Sequence, residues 1–315
     1  MALTLEEYAA EYLPTRGLPW PAAPAIDSPK ARPHLQKLNV KAVLWTAYGT
    51  LLAIPHGELR FEHDQQFVTD IALRKTLEEF KMWQSMSRKP GQPEEYLREL
   101  FNKAYTFIKM TGSGSEKFPE VAAERVWDDI IKKLQQKEYK FDAGLFGPMN
   151  EYVKKIAYFY HASIQGCGAY PNAAHALQSV ADNGRINGLL ADGQCFTPAQ
   201  IQTAMRSQNP AFDVNMTIPL SLRTLSAEVK ARKPGETLFK VAVASLAARK
   251  IAPHQALVVG SNLARDIAPA KKLGLRTALF AGDKASLVAS PEQLKDALHR
   301  PDIMLTDLAQ IVEVL

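Results

Sequence analysis

The chain has little cysteine, no long apolar run and no block of like charge. Its two cysteines, Cys167 and Cys195, lie far apart among 315 residues and form neither a C-x-x-C pair nor a metal-ligand cluster. Free thiols in a reducing cytosol are the simplest reading, so a cytoplasmic location is expected. No segment reaches the roughly 18 consecutive apolar residues of a membrane span, so no membrane role is expected. Glu6 and Glu7 come early, without a basic start followed by an apolar stretch, so no secretory signal is read there. The 38 basic and 33 acidic residues leave a net charge of +5. No basic block is interleaved with aromatics, which argues against nucleic acid as a partner.

What is present is ordinary globular material, 46% hydrophobic and 23% charged, enough for a sizeable core. Residues 1–37 stand apart. An amphipathic stretch (Leu3, Leu5, Tyr8, Ala9, Tyr12, Leu13) precedes Pro14, Pro19, Pro21, Pro24, Pro29 and Pro33. Proline fixes φ and removes a backbone donor, so this segment is expected to run extended as an arm. It either packs on the chain's own surface or docks a protein partner or a second subunit of a homo-oligomer.

Residues 58–166 read as helical. Leu97, Leu100, Phe101, Ala104 and Ile108 recur at helical spacing, as do Val126, Ile130 and Leu134 with Trp127 and Ile131. Turn signals at Arg88 to Gly91, Gly112 to Ser115 and Gly144 to Pro148 separate the pieces. Met82, Trp83 and Met86 read as the core of this unit or the lining of an apolar cleft. From about residue 168 strands and helices alternate. Strands are expected at 186–190, 214–218, 256–259, 276–280 and 303–305, and helices at 235–250 and 263–273. The apolar run Ala42 to Trp45 needs partners from the same sheet. The fold class is therefore α/β: a Rossmann-like parallel sheet built from 38–57 and 167–315, interrupted after its first strand by an all-helical insertion.

Four segments carry candidate chemistry. Ala42-Val43-Leu44-Trp45 ends in a polar turn, Thr46-Ala47-Tyr48-Gly49-Thr50-Leu51, as a buried strand delivering residues to the carboxyl edge of a sheet would. The others are Gly188 to Gly193, Ala231-Arg232-Lys233-Pro234, and Leu257 to Asn262 followed by Asp266. Their order and spacing resemble the motifs of the haloacid dehalogenase superfamily over roughly residues 40–315, and the dehalogenase branch most closely. The resemblance implies a helical cap inserted after strand one and hydrolysis through a covalent aspartyl ester. It places catalytic positions at Thr46, Tyr48, Lys233 and Asp266. Anion-binding positions fall at Ala47, Thr50, Ala191, Asp192, Gly193, Ser261 and Asn262.

Three of these depart from the family pattern. Thr46 replaces the nucleophilic Asp, Ala191 replaces a hydroxyl residue, and Ser261 replaces an acid that helps hold Mg²⁺. Thr46 either caps the turn or donates a hydrogen bond to an anion. Lys233 either forms a buried ion pair with Asp266 or meets a small anion, because a buried unpaired ammonium is costly. No cofactor is expected, and too few carboxylates remain for Mg²⁺. His56, His63, His161 and His175 lack metal spacing and read as structural. Cys195, three residues after Asp192, is a weak candidate for a displaced nucleophile. The expectation is a hydrolase-fold protein that binds a small anionic ligand or a partner without the aspartyl mechanism. The alternatives are an active hydrolase with displaced groups and an assembly subunit using the arm.

Overall fold

The computed structural model describes residues 2–86, 91–112, 114–297 and 299–315. Among the described residues eight strands form in chain order: β1 (Ala42–Trp45), β2 (Leu52–Ala53), β3 (Gly168–Ala169), β4 (Ile186–Ala191), β5 (Arg223–Leu225), β6 (Ala256–Gly260), β7 (Arg276–Phe280) and β8 (Ile303–Leu305). Six of them make one parallel sheet in the order β5-β4-β1-β6-β7-β8. β1 lies at the centre, with Trp45 between Leu189 and Val259. All four of its residues are at most 1% exposed, which explains the unbroken apolar run. Each large side chain buried this way contributes on the order of 1.5–3 kcal/mol. The one polar atom on Trp45 is satisfied: Nε1 donates to Asn187 Oδ1 at 2.9 Å.

From β1 the chain order runs outward in both directions, to β4 and β5 on one side and to β6, β7 and β8 on the other. Such a switch point leaves a crevice beyond the carboxyl ends of the central strands, where open α/β sheets bind ligands.

Helices Gln66–Glu79, Pro93–Gly112, Ala123–Gln135 and Met149–Ile164 pack on one another between β2 and β3. Leu97, Phe101, Val126, Trp127, Ile130 and Tyr160 fill their shared core. β2 and β3 pair antiparallel, so the chain leaving the sheet for the helices and the chain returning are held side by side.

The arm packs on its own chain. Leu5, Tyr8, Ala9 and Leu13 join the helical core, and Trp20 meets Phe159 edge-on at 5.2 Å. Farther along, Lys284 N donates to Asp27 O at 2.7 Å, His34 bridges Met304, and Leu38 N donates to Val314 O at 2.8 Å. The arm thus ties the helices to the sheet.

Several expectations need correction. Residues 214–218 are not a strand: Asp213 caps a helical turn, Val214–Thr217, by accepting from Asn215 N and Met216 N. The strand in that region is the three-residue β5. Pro14 lies within a helical turn, Leu13–Thr15, and only the arm beyond it is extended. The turn expected at 144–148 holds a helical turn, Ala143–Phe146, before Gly147. Met82 and Met86 are buried, but Trp83 is 50% exposed. Arg88, Lys89, Pro90 and Ser113, read as turn residues, lie outside the described residues.

Candidate functional site

After Trp45 the chain folds back over the sheet edge. Thr46 N still donates to Val259 O at 2.9 Å, continuing the β1–β6 ladder by one residue. The turn then closes on Ala47 O, which accepts from Leu51 N and Leu52 N, both at 2.9 Å. Gly49 has φ 78°, and a Cβ there would lie 2.6 Å from Ser261 Oγ. Both the conformation and the close approach require glycine. Thr46 and Thr50 end up buried with their hydroxyl oxygens 2.6 Å apart.

Tyr48 turns toward the helix Thr197–Arg206. Its hydroxyl donates to Gln200 Oε1 at 2.5 Å and lies 2.9 Å from Thr197 Oγ1. Burial pushes this phenol well above its ordinary range, so it stays protonated and acts as a donor.

The charged positions form a connected network. Lys233 Nζ donates to Asp266 Oδ1, and both side chains are buried. Asp266 Oδ2 accepts from Asn262 N at 2.9 Å. Asn262 in turn caps the following helical turn, its Oδ1 accepting from Ala264 N and Arg265 N at 3.1 and 3.0 Å. Asp192 accepts from Lys233 N at 2.8 Å through one oxygen and from the Arg265 guanidinium through the other. Arg265 also reaches Glu58 Oε2 at 2.9 Å. Burial works against the charge of Arg265, but Asp192 and its neighbours outweigh it and raise the guanidinium above its ordinary value. Glu120 accepts from Ser226 Oγ at 2.8 Å and lies 4.0 Å from Arg232 Nε. Burial raises the Glu120 carboxyl despite both partners.

These groups surround a cavity of about 200 Å³ between the sheet edge and the helices. Thr46, Ala47, Tyr48, Asp192, Lys233, Ser261, Asn262 and Asp266 line it, so most of the positions expected from sequence converge. Thr50, Ala191 and Gly193 do not line it. Thr50 sits behind Thr46, and Gly193 N donates to Ser226 Oγ at 3.0 Å. Cys195 also falls outside; it packs against the helical core, and burial raises its thiol. His56 lines the cavity, whereas His63, His161 and His175 do not.

Sequence reasoning missed Glu58, Glu120, Arg232 and Arg265. The two arginines adjoin motif residues, which is a usable signal. Glu58 comes from the start of the helical insertion and Glu120 from the loop before the helix Ala123–Gln135, where no local pattern marks them. Four carboxylates (Glu58, Glu120, Asp192, Asp266) thus face three fixed cations (Arg232, Lys233, Arg265). Among the described residues, no three His, Cys, Asp or Glu side chains gather as a metal-ligand set. No helix of the described residues is long and apolar enough to cross a membrane.

Comparison with known proteins bears on the fold. Residues 230–311 match the HAD-hydrolase-like family model, a span that includes Lys233, Ser261 and Asp266. A 2-haloacid dehalogenase from Pseudomonas syringae pv. Tomato DC3000 superposes with a TM-score of 0.51 at 16% identity, covering 87% of this chain and 97% of that one. The chain has the haloacid dehalogenase-like fold. A HAD phosphatase from Thermococcus onnurineus is also similar, at 16% identity and a TM-score of 0.43, covering 86% of this chain and 96% of that one. No curated protein matches the sequence. Within this fold, Thr46 stands at the end of the central strand, where the resemblance puts the nucleophile, and Lys233 and Asp266 line the same cavity.

Proposed function

We propose that this haloacid dehalogenase-like protein does not hydrolyse through an aspartyl ester and acts by binding, its cleft taking a small polar ligand. One observation carries this reading: the hydroxyl at the nucleophile position is bonded to Thr50 rather than to a base. A threonine hydroxyl becomes a nucleophile only when a base within about 3 Å takes its proton. Thr50 can accept a hydrogen bond but cannot hold that proton at neutral pH.

The charges support the same reading. Lys233, which would neutralise a bound anion, already donates to Asp266, and Arg265 bridges Asp192 and Glu58. An incoming anion meets cations whose charge is already partly neutralised by carboxylates. The donor set also does not fit Mg²⁺, which prefers near-octahedral oxygen ligands. Asp192 and Asp266 are engaged by cations, and Thr46, Tyr48 and Ser261 occupy the neighbouring positions. A second reading, residual hydrolysis with displaced groups, draws on Glu120, whose raised carboxyl lines the same cavity and could serve as an acid.

A paired assay separates the two. The native protein and Thr46→Asp are tested on phosphate monoesters and short 2-haloacids, with and without Mg²⁺. The expected result is no native turnover under any condition. Native turnover that is lost in Lys233→Ala would overturn the binding reading.

A further inference from the structure

A second cavity lies behind the Tyr48 hydrogen bonds, where the arm crosses the linker returning from the helices to the sheet. Its volume is about 360 Å³, within the roughly 300–1,000 Å³ typical of small-molecule sites. Leu13, Trp20 and Pro21 of the arm form one wall, and Ala162 and Ala204 of the two flanking helices form others. Glycines seat the arm. A Cβ on Gly166 would lie 1.9 Å from Ala22 O, and one on Gly168 would lie 2.9 Å from Ala23 Cβ. The arm wall is therefore written into the linker sequence.

Two features set the chemistry of this space. First, no charged side chain among the described residues lines it. An ionised ligand would lose its hydration with no counter-charge to replace it. The Cys167 thiol in the wall is pushed up to about 12 by burial, so it adds no charge. Second, Gln200 lines the cavity, is only 6% exposed and is half satisfied. Its Oε1 accepts from the Tyr48 hydroxyl, but its Nε2 has no hydrogen-bond partner among the described residues. The amide nitrogen opens onto the cavity, so an occupant that supplies an acceptor can pair with it in place of water. Other polar groups of the lining are already engaged: Gln165 with Arg60 N and Glu58 O, Ser207 with Ala204 O, and Tyr158 with Thr203.

We propose that this cavity binds a neutral, mainly apolar small molecule whose carbonyl-type oxygen accepts from Gln200 Nε2. The site is distinct from the charged cleft but adjacent to it, because the same Gln200 amide holds Tyr48, which lines that cleft.

The test uses the full chain and 6-propionyl-2-dimethylaminonaphthalene, an uncharged fluorophore with one ketone and polarity-sensitive emission. The expected result is saturable binding to one site with blue-shifted emission. Gln200→Leu removes the donor and weakens binding about three- to tenfold, the worth of one neutral hydrogen bond. Ala204→Phe fills the space and abolishes saturable binding. Each variant is first checked for a cooperative thermal melt, and if one fails to fold, the other decides. No saturable binding to the native chain, or unchanged affinity in the folded variants, overturns the proposal.

Discussion

His161 offers a sharp test of how the helical unit is built. It lies on the helix Met149–Ile164 and is 1% exposed. Its ring packs 5.0 Å from both Phe61 and Phe196 and 5.5 Å from Tyr160. Among the described residues, neither ring nitrogen has a hydrogen-bond partner. Burial among these rings lowers the imidazole from its ordinary 6.5 to about 3, slightly offset by the nearby Arg60 backbone. In the unfolded chain the same histidine titrates near its ordinary value. Below that value the unfolded state therefore binds a proton that the folded state refuses, and stability falls as the pH drops from about 6.5 toward about 3.

The size of the effect at pH 5 follows from the unfolded side alone. With a folded value near 3 the buried ring is essentially all neutral at pH 5, so the penalty reflects about 1.5 pH units below the unfolded value. At about 1.36 kcal/mol per unit this is about 2 kcal/mol, against almost nothing at pH 7.5. The figure changes little for any folded value below about 4. The assay is urea unfolding of the native chain and His161→Phe at pH 7.5 and pH 5.0. The phenyl ring suits the aromatic site and cannot titrate, and comparison with the native chain subtracts every other group. The native chain should lose about 2 kcal/mol more than the variant between the two pH values. Equal losses would refute the reading of His161 as a buried neutral ring.

Two further outcomes are expected. Lys233→Met leaves Asp266 buried without its cation and should lower unfolding stability by about 3–5 kcal/mol, read by denaturant titration; an unchanged midpoint would mean the pair is not held as described. Gly166→Ala places a methyl group against Ala22 O. It should lift the arm and speed tryptic cleavage at Arg16 or Lys30, while unchanged cleavage would contradict the tight seating.

The sheet was legible because its central strands are buried on both faces. A strand covered on both sides needs a continuous apolar run, and the polar turn at Thr46 marks where it leaves the sheet. β5 was not legible: three residues, Arg223 to Leu225, are too few for any period to show. The β-branched and apolar residues at 214–218 mimicked a strand, and the capping side chain of Asp213 overrode them. For the site, Thr46, Tyr48, Lys233 and Asp266 line one cavity because all follow the carboxyl ends of strands in one parallel sheet, which motif spacing can signal. The spacing could not show where the ion pairs close. Glu58 arrives from the start of the helical insertion and Glu120 from a loop within it, and only the packed chain puts them beside Arg265 and Arg232. The arm was legible as extended and proline-rich, but its seat depends on Gly166 and Gly168, more than a hundred residues away.

The same distant contacts bear on what the cleft can do. A cleft that takes in and releases substrate repeatedly must open, usually by motion of a lid relative to its base. Here the helical unit and the sheet are joined at several independent places. Gln194, at the sheet edge, donates to Val121 O at 3.0 Å and accepts from Ala123 N at 2.8 Å, at the start of a lid helix. Arg265 holds Glu58 of the linker, and Ser226 holds Glu120. The arm then spans both units, with Tyr8 and Leu13 in the helical core and Asp27 to Leu38 on the sheet. Opening would break these contacts together, including a partly buried ion pair and the buried apolar seat of the arm. These joints fit the binding role proposed above, since a site that binds without turnover gains from a preformed cleft and has no product to expel.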